Sequence, residues 1–196
     1  LGVVHPKRVK RNADARAGDV LVLGKPLGVG IFSAALKKEA LAADDYRAML
    51  ETTTQLNAVG PELAQMPGVH AMTDVTGFGL LGHLLEICRG AGKHARVRMS
   101  RLPFLGNAVA LAEAGFVTGA SARNWASYGS EVQLAAGVDE VRKALLCDPQ
   151  TSGGLLVSCA ADAVDRVLET FRRRGFERAA IVGDISDGAP GITVEL

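Results

Sequence analysis

Asp74-Val75-Thr76-Gly77-Phe78-Gly79-Leu80-Leu81-Gly82-His83-Leu84-Leu85-Glu86-Ile87-Cys88 carries the strongest local signal for the fold. Leu80, Leu81, Leu84, Leu85, Ile87 and Cys88 recur at i, i+1, i+4, i+5, i+7 and i+8. That spacing places them on one face of a helix, with His83, Glu86 and Arg89 largely on its polar side. Gly90 and Gly92 close the helix. Upstream, Gly68 leads into a β-rich run over Val69–Thr73. The unit is therefore a strand, a glycine-rich turn and an amphipathic helix.

Nearer the start of the chain, Gly18-Asp19 introduces the apolar strand Val20–Leu23, which runs into the glycine-rich loop 24–30. Asp44 and Asp45 open a helix through Ala48, Leu50 and Leu56, with the acids at the positive end of its dipole. Pro61 and Pro67 punctuate the stretch between that helix and the Val69–Thr73 strand. Arg96 and Arg98 alternate with Val97 and Met99 in a strand over Ala95–Met99, and Pro103 precedes a helix carrying Ala108, Leu111, Ala112 and Ala114. Residues 115–137 lack clear periodicity and read as a long loop, more often functional or interfacial than idle. A helix with Val141, Leu145 and Leu146, a strand over Leu155–Cys159 and a helix with Val164, Val167 and Phe171 come next. Strands near Ala179–Val182 and Ile192–Leu196 close the chain as a candidate hairpin. Intermixed strands and helices predict an α+β fold, a mixed sheet packed with helices.

Composition narrows the function classes. The 196 residues are 48% hydrophobic, enough to offset chain entropy in a folded core. Lysine and arginine number 22 against 21 acids, a net +1, so no bulk field recruits nucleic acid or an anionic membrane. No apolar window is long enough to span a bilayer. Cys88, Cys147 and Cys159 are odd in number, widely spaced and without CxxC, as expected of reduced thiols in a cytoplasmic protein. Each reads as a core residue. The chain starts on leucine, and the expectation is a piece of a longer polypeptide. Residues 1–17, with Lys7, Arg8, Lys10, Arg11 and Arg16, read as a connector from a missing upstream segment, and 18–196 as the domain.

Three patterns could carry chemistry. Gly77, Gly79 and Gly82 spell GxGxxG, but Asp74 sets a carboxylate where a pyrophosphate would sit. About 20 residues on, where a ribose-binding acid belongs, the chain reads Met99-Ser100-Arg101-Leu102. A dinucleotide fold is thus disfavoured. The same residues suit a carboxylate on a strand end that holds Mg²⁺ against phosphate oxygens, with Thr76, Gly77 and Gly79 near the phosphates. They also suit a plain structural role, Asp74 and Thr76 capping the helix while the glycines make a tight turn.

The second pattern is Asp148-Pro149-Gln150-Thr151-Ser152-Gly153-Gly154, which offers donors to an anion or simply links a helix to a strand. The third, Gly24-Lys25-Pro26-Leu27-Gly28, lacks the spacing of a P-loop. His5, His70, His83 and His94 show no metal-ligand spacing. Trp125 and Tyr128 cover either a partner or the chain's own core.

Ala71–His83 and Leu146–Leu155 together resemble the selenophosphate synthetase (selenide, water dikinase) family. Gly18–Leu23 with Lys25–Gly28, and Arg123–Gly129, resemble two further family segments in the expected order. The resemblance covers essentially the whole chain and corresponds to the C-terminal half of that enzyme, with the fold of the aminoimidazole ribonucleotide synthetase C-terminal domain. It implies conversion of ATP, selenide and water to selenophosphate, AMP and phosphate, with Mg²⁺ and a homodimer. Asp74 resembles the family's C-domain magnesium ligand. The reactive cysteine or selenocysteine, the essential lysine and most ATP ligands belong to the N-terminal domain. The resemblance therefore gives this chain no catalytic residue of its own and implies that it is inactive alone. Gly24 stands where the family has threonine. The competing readings are a sister ATP-using enzyme of the superfamily, which the Cys147–Gly154 segment opposes, and a non-catalytic dimerisation or binding module.

Overall fold

The computed structural model describes Val4 and residues 9–196; His5, Lys7 and Arg8 lie outside them. Seven strands among the described residues are β1 (Val20–Leu23), β2 (Val69–Asp74), β3 (His94–Arg98), β4 (Val132–Leu134), β5 (Leu155–Cys159), β6 (Ala180–Ser186) and β7 (Gly191–Glu195). They form one sheet in the order β2-β5-β1-β6-β3-β7-β4. All neighbours are antiparallel except β3–β7 and β4–β7, which are parallel. The helices are α1 (Val29–Leu36), α2 (Ala43–Thr54), α3 (Gly60–Ala64), α4 (Gly79–Ala91), α5 (Ala108–Glu113), α6 (Gly119–Tyr128), α7 (Glu140–Leu146) and α8 (Val164–Arg173). This is the mixed α+β architecture expected from the sequence.

Helices cover both faces, which explains the unbroken apolar run of β1. Leu21 and Leu23 join a core with Leu80, Leu81, Leu84 and Leu85 of α4. Val22, between them, joins a second core with Leu63 of α3 and Val167 and Phe171 of α8. The predicted apolar face of α4 is fully buried. Gly92, in the left-handed region at φ 64°, ends that helix where a side chain would be strained.

The terminal hairpin is not formed. β3 lies between β6 and β7, with Ala95 opposite Ile185 on one side and Ile192 on the other. Arg98 Nη2 pairs with Asp184 Oδ1 at 2.6 Å, and Arg96 Nε with Glu195 Oε1 at 3.4 Å, so β3 has an ionic partner on each neighbour. A Cβ on Gly183 would collide with the Arg96 carbonyl, and glycine there lets β3 approach β6.

Residues 115–137 are not a loop either, because α6 and β4 lie within them. Thr118 caps α6, its Oγ1 accepting from the Ser121 amide at 3.2 Å. The buried face of α6 is Ser121, Asn124 and Tyr128, polar or amphipathic residues that leave no hydrophobic period to detect. α1 likewise begins inside the expected glycine loop. α2 ends at Thr54, so Leu56 lies beyond it and is 77% exposed. Asp45 does more than face a dipole: it is buried and accepts from the Asn107 side-chain amide at 3.0 Å.

All three cysteines are buried and unpaired. Burial pushes the Cys88 thiol up to about 11 and Cys159 up to about 12, and raises Cys147 as well. A thiol-specific disulfide reagent at mildly alkaline pH is expected to find none of them in the folded protein and all three in denaturant. One fast-reacting thiol in the native state would overturn that assignment.

Candidate functional site

Asp74 ends β2, the edge strand, in register with Leu155 of β5. Its side chain is exposed and has no hydrogen-bond or ion-pair partner among the described residues. A groove of ≈ 630 Å³ beside it is lined by Lys10, Arg11, Asn57, Met72 and Thr73. Lys10 Nζ donates to the Val69 carbonyl at 2.7 Å, and Arg11 pairs with Asp14, so both cations are engaged within the chain.

The loop between Asp74 and α4 is held by its carbonyl groups. Gln150 N donates to Thr76 O at 3.0 Å. Asn124 Nδ2 donates to Gly77 O at 2.9 Å, and Tyr128 OH to Phe78 O at 2.7 Å. Val75 N reaches Gly154 O at 2.9 Å. Gly77 and Phe78 are exposed, and their amides donate to no acceptor among the described residues. Three consecutive carbonyls therefore face the protein, while two amides stay available at the positive end of α4.

Gly79 has φ 70°, and a Cβ there would sit 2.7 Å from the Cys147 carbonyl carbon. The turn thus requires glycine for packing as well as conformation. Asn124 is legible in the sequence only as part of a family-like segment; its second bond, to Cys147 O at 3.0 Å, ties the two long motifs together.

The second motif is structural. Gln150 Oε1 accepts from the amides of Gly28 and Val29, both at 3.2 Å. Asp148 Oδ2 accepts from Gly30 at 2.9 Å and Ile31 at 3.3 Å. Four consecutive amides at the start of α1 are thereby satisfied from a segment about 120 residues away in the chain. Thr151 and Ser152 are exposed, and Ser152 O accepts from Lys25 Nζ at 2.6 Å. The segment links α7 to β5, as one of its two readings has it.

Asp148 is fully buried, and its Oδ1 has no partner among the described residues. Burial pushes its carboxyl up to about 7, against the opposing pull of its hydrogen bonds. In the unfolded chain the same group ionises near the ordinary value of about 4. Its contribution to stability is therefore fully present below that value and is lost as pH rises through about 7. Asp148→Asn removes the titration. Denaturant melts of both proteins across this range should show the stability difference shifting in the variant's favour as pH rises, then levelling off. A difference independent of pH would show that the buried carboxyl does not titrate there.

His83 is hydrogen-bonded as expected, but it does not lie on the exposed side of α4. It is 8% exposed rather than on the polar side of α4, because both ring nitrogens have partners. Nε2 lies 3.1 Å from Thr76 Oγ1, and Nδ1 lies 3.3 Å from Glu86 Oε2. Tyr128 is buried, with its hydroxyl pKa raised by desolvation, and it covers the chain's own core. Trp125 is half-buried under Lys143, whose Nζ sits 5.1 Å from the ring centroid.

Among the described residues no three His, Cys, Asp or Glu side chains gather into a metal centre. Asp74 alone fits a share of one: an exposed, unengaged carboxylate is a hard oxygen donor, and magnesium commonly takes one or two protein carboxylates with phosphates and waters. No helix of the described residues is long and apolar enough to cross a membrane.

Residues 16–195 match the family described as AIR synthase related protein, C-terminal domain. The chain is 64% identical over 194 residues to a selenide, water dikinase of Burkholderia pseudomallei (strain K96243), covering 99% of this chain and 55% of that relative. It is 60% identical over 194 residues to the selenide, water dikinase of Pseudomonas straminea, with 99% and 54% covered. The chain thus spans about half the length of the curated relatives it matches. Among solved structures, thiamine-monophosphate kinase from Stenotrophomonas maltophilia K279a aligns with a TM-score of 0.69 at 21% identity, covering 98% of this chain and 54% of that one. The hydrogenase maturation protein HypE of E. coli aligns at 0.63 and 19%, covering 95% and 49%. At these identities the structural likeness shows a shared fold.

Proposed function

This chain belongs to the AIR synthase-related protein C-terminal domain family, and on that basis we propose that it is the C-terminal half of a selenide, water dikinase. In this reading residues 1–17 lead in from an amino-terminal ATP-binding domain and 18–196 form the C-terminal domain. The whole enzyme would convert ATP, selenide and water to selenophosphate, AMP and phosphate. The observation that carries the reading is the 64% identity spread across 99% of the chain.

The geometry supports it. Asp74 offers a carboxylate on one side of the loop, and the free amides of Gly77 and Phe78 offer donors to phosphate oxygens, with Thr76 and Gly79 shaping the turn. Asp74 would hold magnesium, whose charge would neutralise that of the phosphates. Asn124, Tyr128 and Gln150 hold the loop so that these groups keep their direction without reorganisation. The remaining groups come from the amino-terminal domain, so this chain alone is expected to be inactive. A homodimer in the cytoplasm completes the reading.

The test is ³¹P NMR on the full-length enzyme with Mg-ATP and selenide under anaerobic, reducing conditions. Selenide-dependent appearance of selenophosphate with AMP and phosphate is the expected result. ATP left intact, or cleaved to ADP regardless of selenide, overturns it in favour of a sister enzyme or a binding module.

A further inference from the structure

Asn57 lies in the short connection between α2 and α3, and three observations set it beside Asp74. Asp74 and Leu155 are direct partners across β2 and β5, so their side chains share one face of the sheet. Leu155 packs on that face in the core that holds Val59 and Leu63, and a Cβ on Gly60 would meet its Cδ1 at 3.4 Å. Asn57, two residues before Val59, lines the same groove of ≈ 630 Å³ as Asp74 and Leu155.

The direction of the Asn57 amide depends on no protonation state. Nδ2 donates to the Gly153 carbonyl at 2.8 Å. A carbonyl only accepts, so the NH₂ group has to face it, and Oδ1 is turned elsewhere. That oxygen is buried and has no hydrogen-bond partner among the described residues. A buried acceptor without a donor carries a desolvation penalty that nothing in the chain offsets, and water or an ion is the usual way such a group is completed. An amide oxygen is also the neutral hard donor that divalent cations take beside carboxylates. Reaching it calls for a rotamer change among the exposed side chains of the groove, Asp74 and Arg11, and not for a change in the core.

We propose that Asn57 Oδ1 is a second oxygen ligand of the cation at Asp74. The inference rests on the reading of Asp74 as a cation ligand and deepens it. β2 delivers a charged oxygen, the α2–α3 connection a neutral one, and the bond to Gly153 holds the amide in place for the cation.

The experiment is Mn²⁺ titration of the full-length enzyme by electron paramagnetic resonance, with thermal melts run in parallel. Asn57→Leu and Asn57→Asp both lose the bond to Gly153, so both are expected to melt lower than the wild type. Their affinities are expected to move apart. Asn57→Leu has no oxygen to offer and should weaken Mn²⁺ by about 10-fold or more. Asn57→Asp keeps an oxygen and adds charge, so it should bind at least as tightly as the wild type. If Asn57 only braced the groove, both variants would weaken in step with their melting temperatures, and that result overturns the proposal, as does unchanged affinity in Asn57→Leu.

A second measurement leaves the wild-type fold intact. With asparagine labelled by ¹³C at Cγ, electron–nuclear double resonance should show strong ¹³C coupling to Mn²⁺. That coupling should vanish in Asn57→Asp, which separates Asn57 from Asn12 in the same groove. Coupling that is absent, or that survives the substitution, sinks the assignment. Asp74→Asn distinguishes the two levels. Loss of Mn²⁺ there with no effect in Asn57→Leu refutes the second ligand alone, whereas unchanged binding in Asp74→Asn refutes the cation site and the second ligand with it.

Discussion

Asp74→Asn in the full-length enzyme is expected to lower selenide-dependent turnover of Mg-ATP by about 10²–10³-fold, the usual loss when one preorganised charge-stabilising group is removed. The substitution keeps the shape of the side chain and removes its charge. Folding should barely register it, because the carboxylate is exposed and has no partner among the described residues. Such surface changes stay within about 0.5 kcal/mol. Activity and stability are thus expected to part company at this position. Activity measured at saturating and limiting Mg²⁺, beside a melting curve, checks it. Near-normal turnover removes Asp74 from the site, and a large fall in melting temperature would mean that its role is structural.

The second large effect concerns stability. Lys25→Met is expected to cost roughly 3 kcal/mol, because buried carbonyl acceptors lose their charged donor. For a chain of this size that is a fall of roughly 10 °C in melting temperature. Lys25 is 1% exposed. Its ammonium donates to Gln55 O and Ser152 O at 2.6 Å and to Thr52 O at 3.1 Å.

Thr52 lies in the last turn of α2 and Gln55 just after it, where carbonyls lack partners within the helix. Burial lowers the pKa of Lys25, and its ammonium is held by the three carbonyl oxygens. Methionine fills the space and leaves all three acceptors without that donor. Arginine is no substitute, since a planar fork does not fit three convergent oxygens. Urea unfolding measures the cost, and a loss below about 1 kcal/mol would show that water replaces the ammonium there without penalty.

The two effects have one structural basis. Lys25 and the caps from Asp148 and Gln150 fix the 147–154 segment against β1, α1 and α2. That segment in turn supplies the Gln150 and Gly154 backbone groups that hold Thr76 and Val75. A Cβ on Gly153 would run into the Val75 carbonyl, so the segment and the loop meet backbone to backbone. The stability of the lysine cage and the geometry beside Asp74 are therefore linked through bonded neighbours.

Elements whose signal is local are legible in the chain alone. Leu80, Leu81, Leu84, Leu85, Ile87 and Cys88 declare α4 because a helix brings their spacing onto one face. Val20–Leu23 and Leu155–Cys159 declare strands because an apolar run of that length has to be covered on both sides. Asp74 stands out because its neighbours are glycines at the start of a helix.

Features that depend on distant partners emerge only on folding. α1 is capped from Asp148 and Gln150, whose side chains are invisible to any window around Val29. α6 buries Ser121, Asn124 and Tyr128, and polar residues become a core face only where carbonyls such as those of Gly77 and Phe78 await them. β6 and β7 look like a hairpin because four residues separate them, yet β3 lies between them, held by ion pairs to both. His83 reads as a polar-face residue until Thr76 and Glu86 are brought to its two nitrogens. In each case a hydrogen bond or charge pair between residues separated in the chain satisfies a group that local pattern would leave to solvent, and such pairings exist only once the chain has closed on itself.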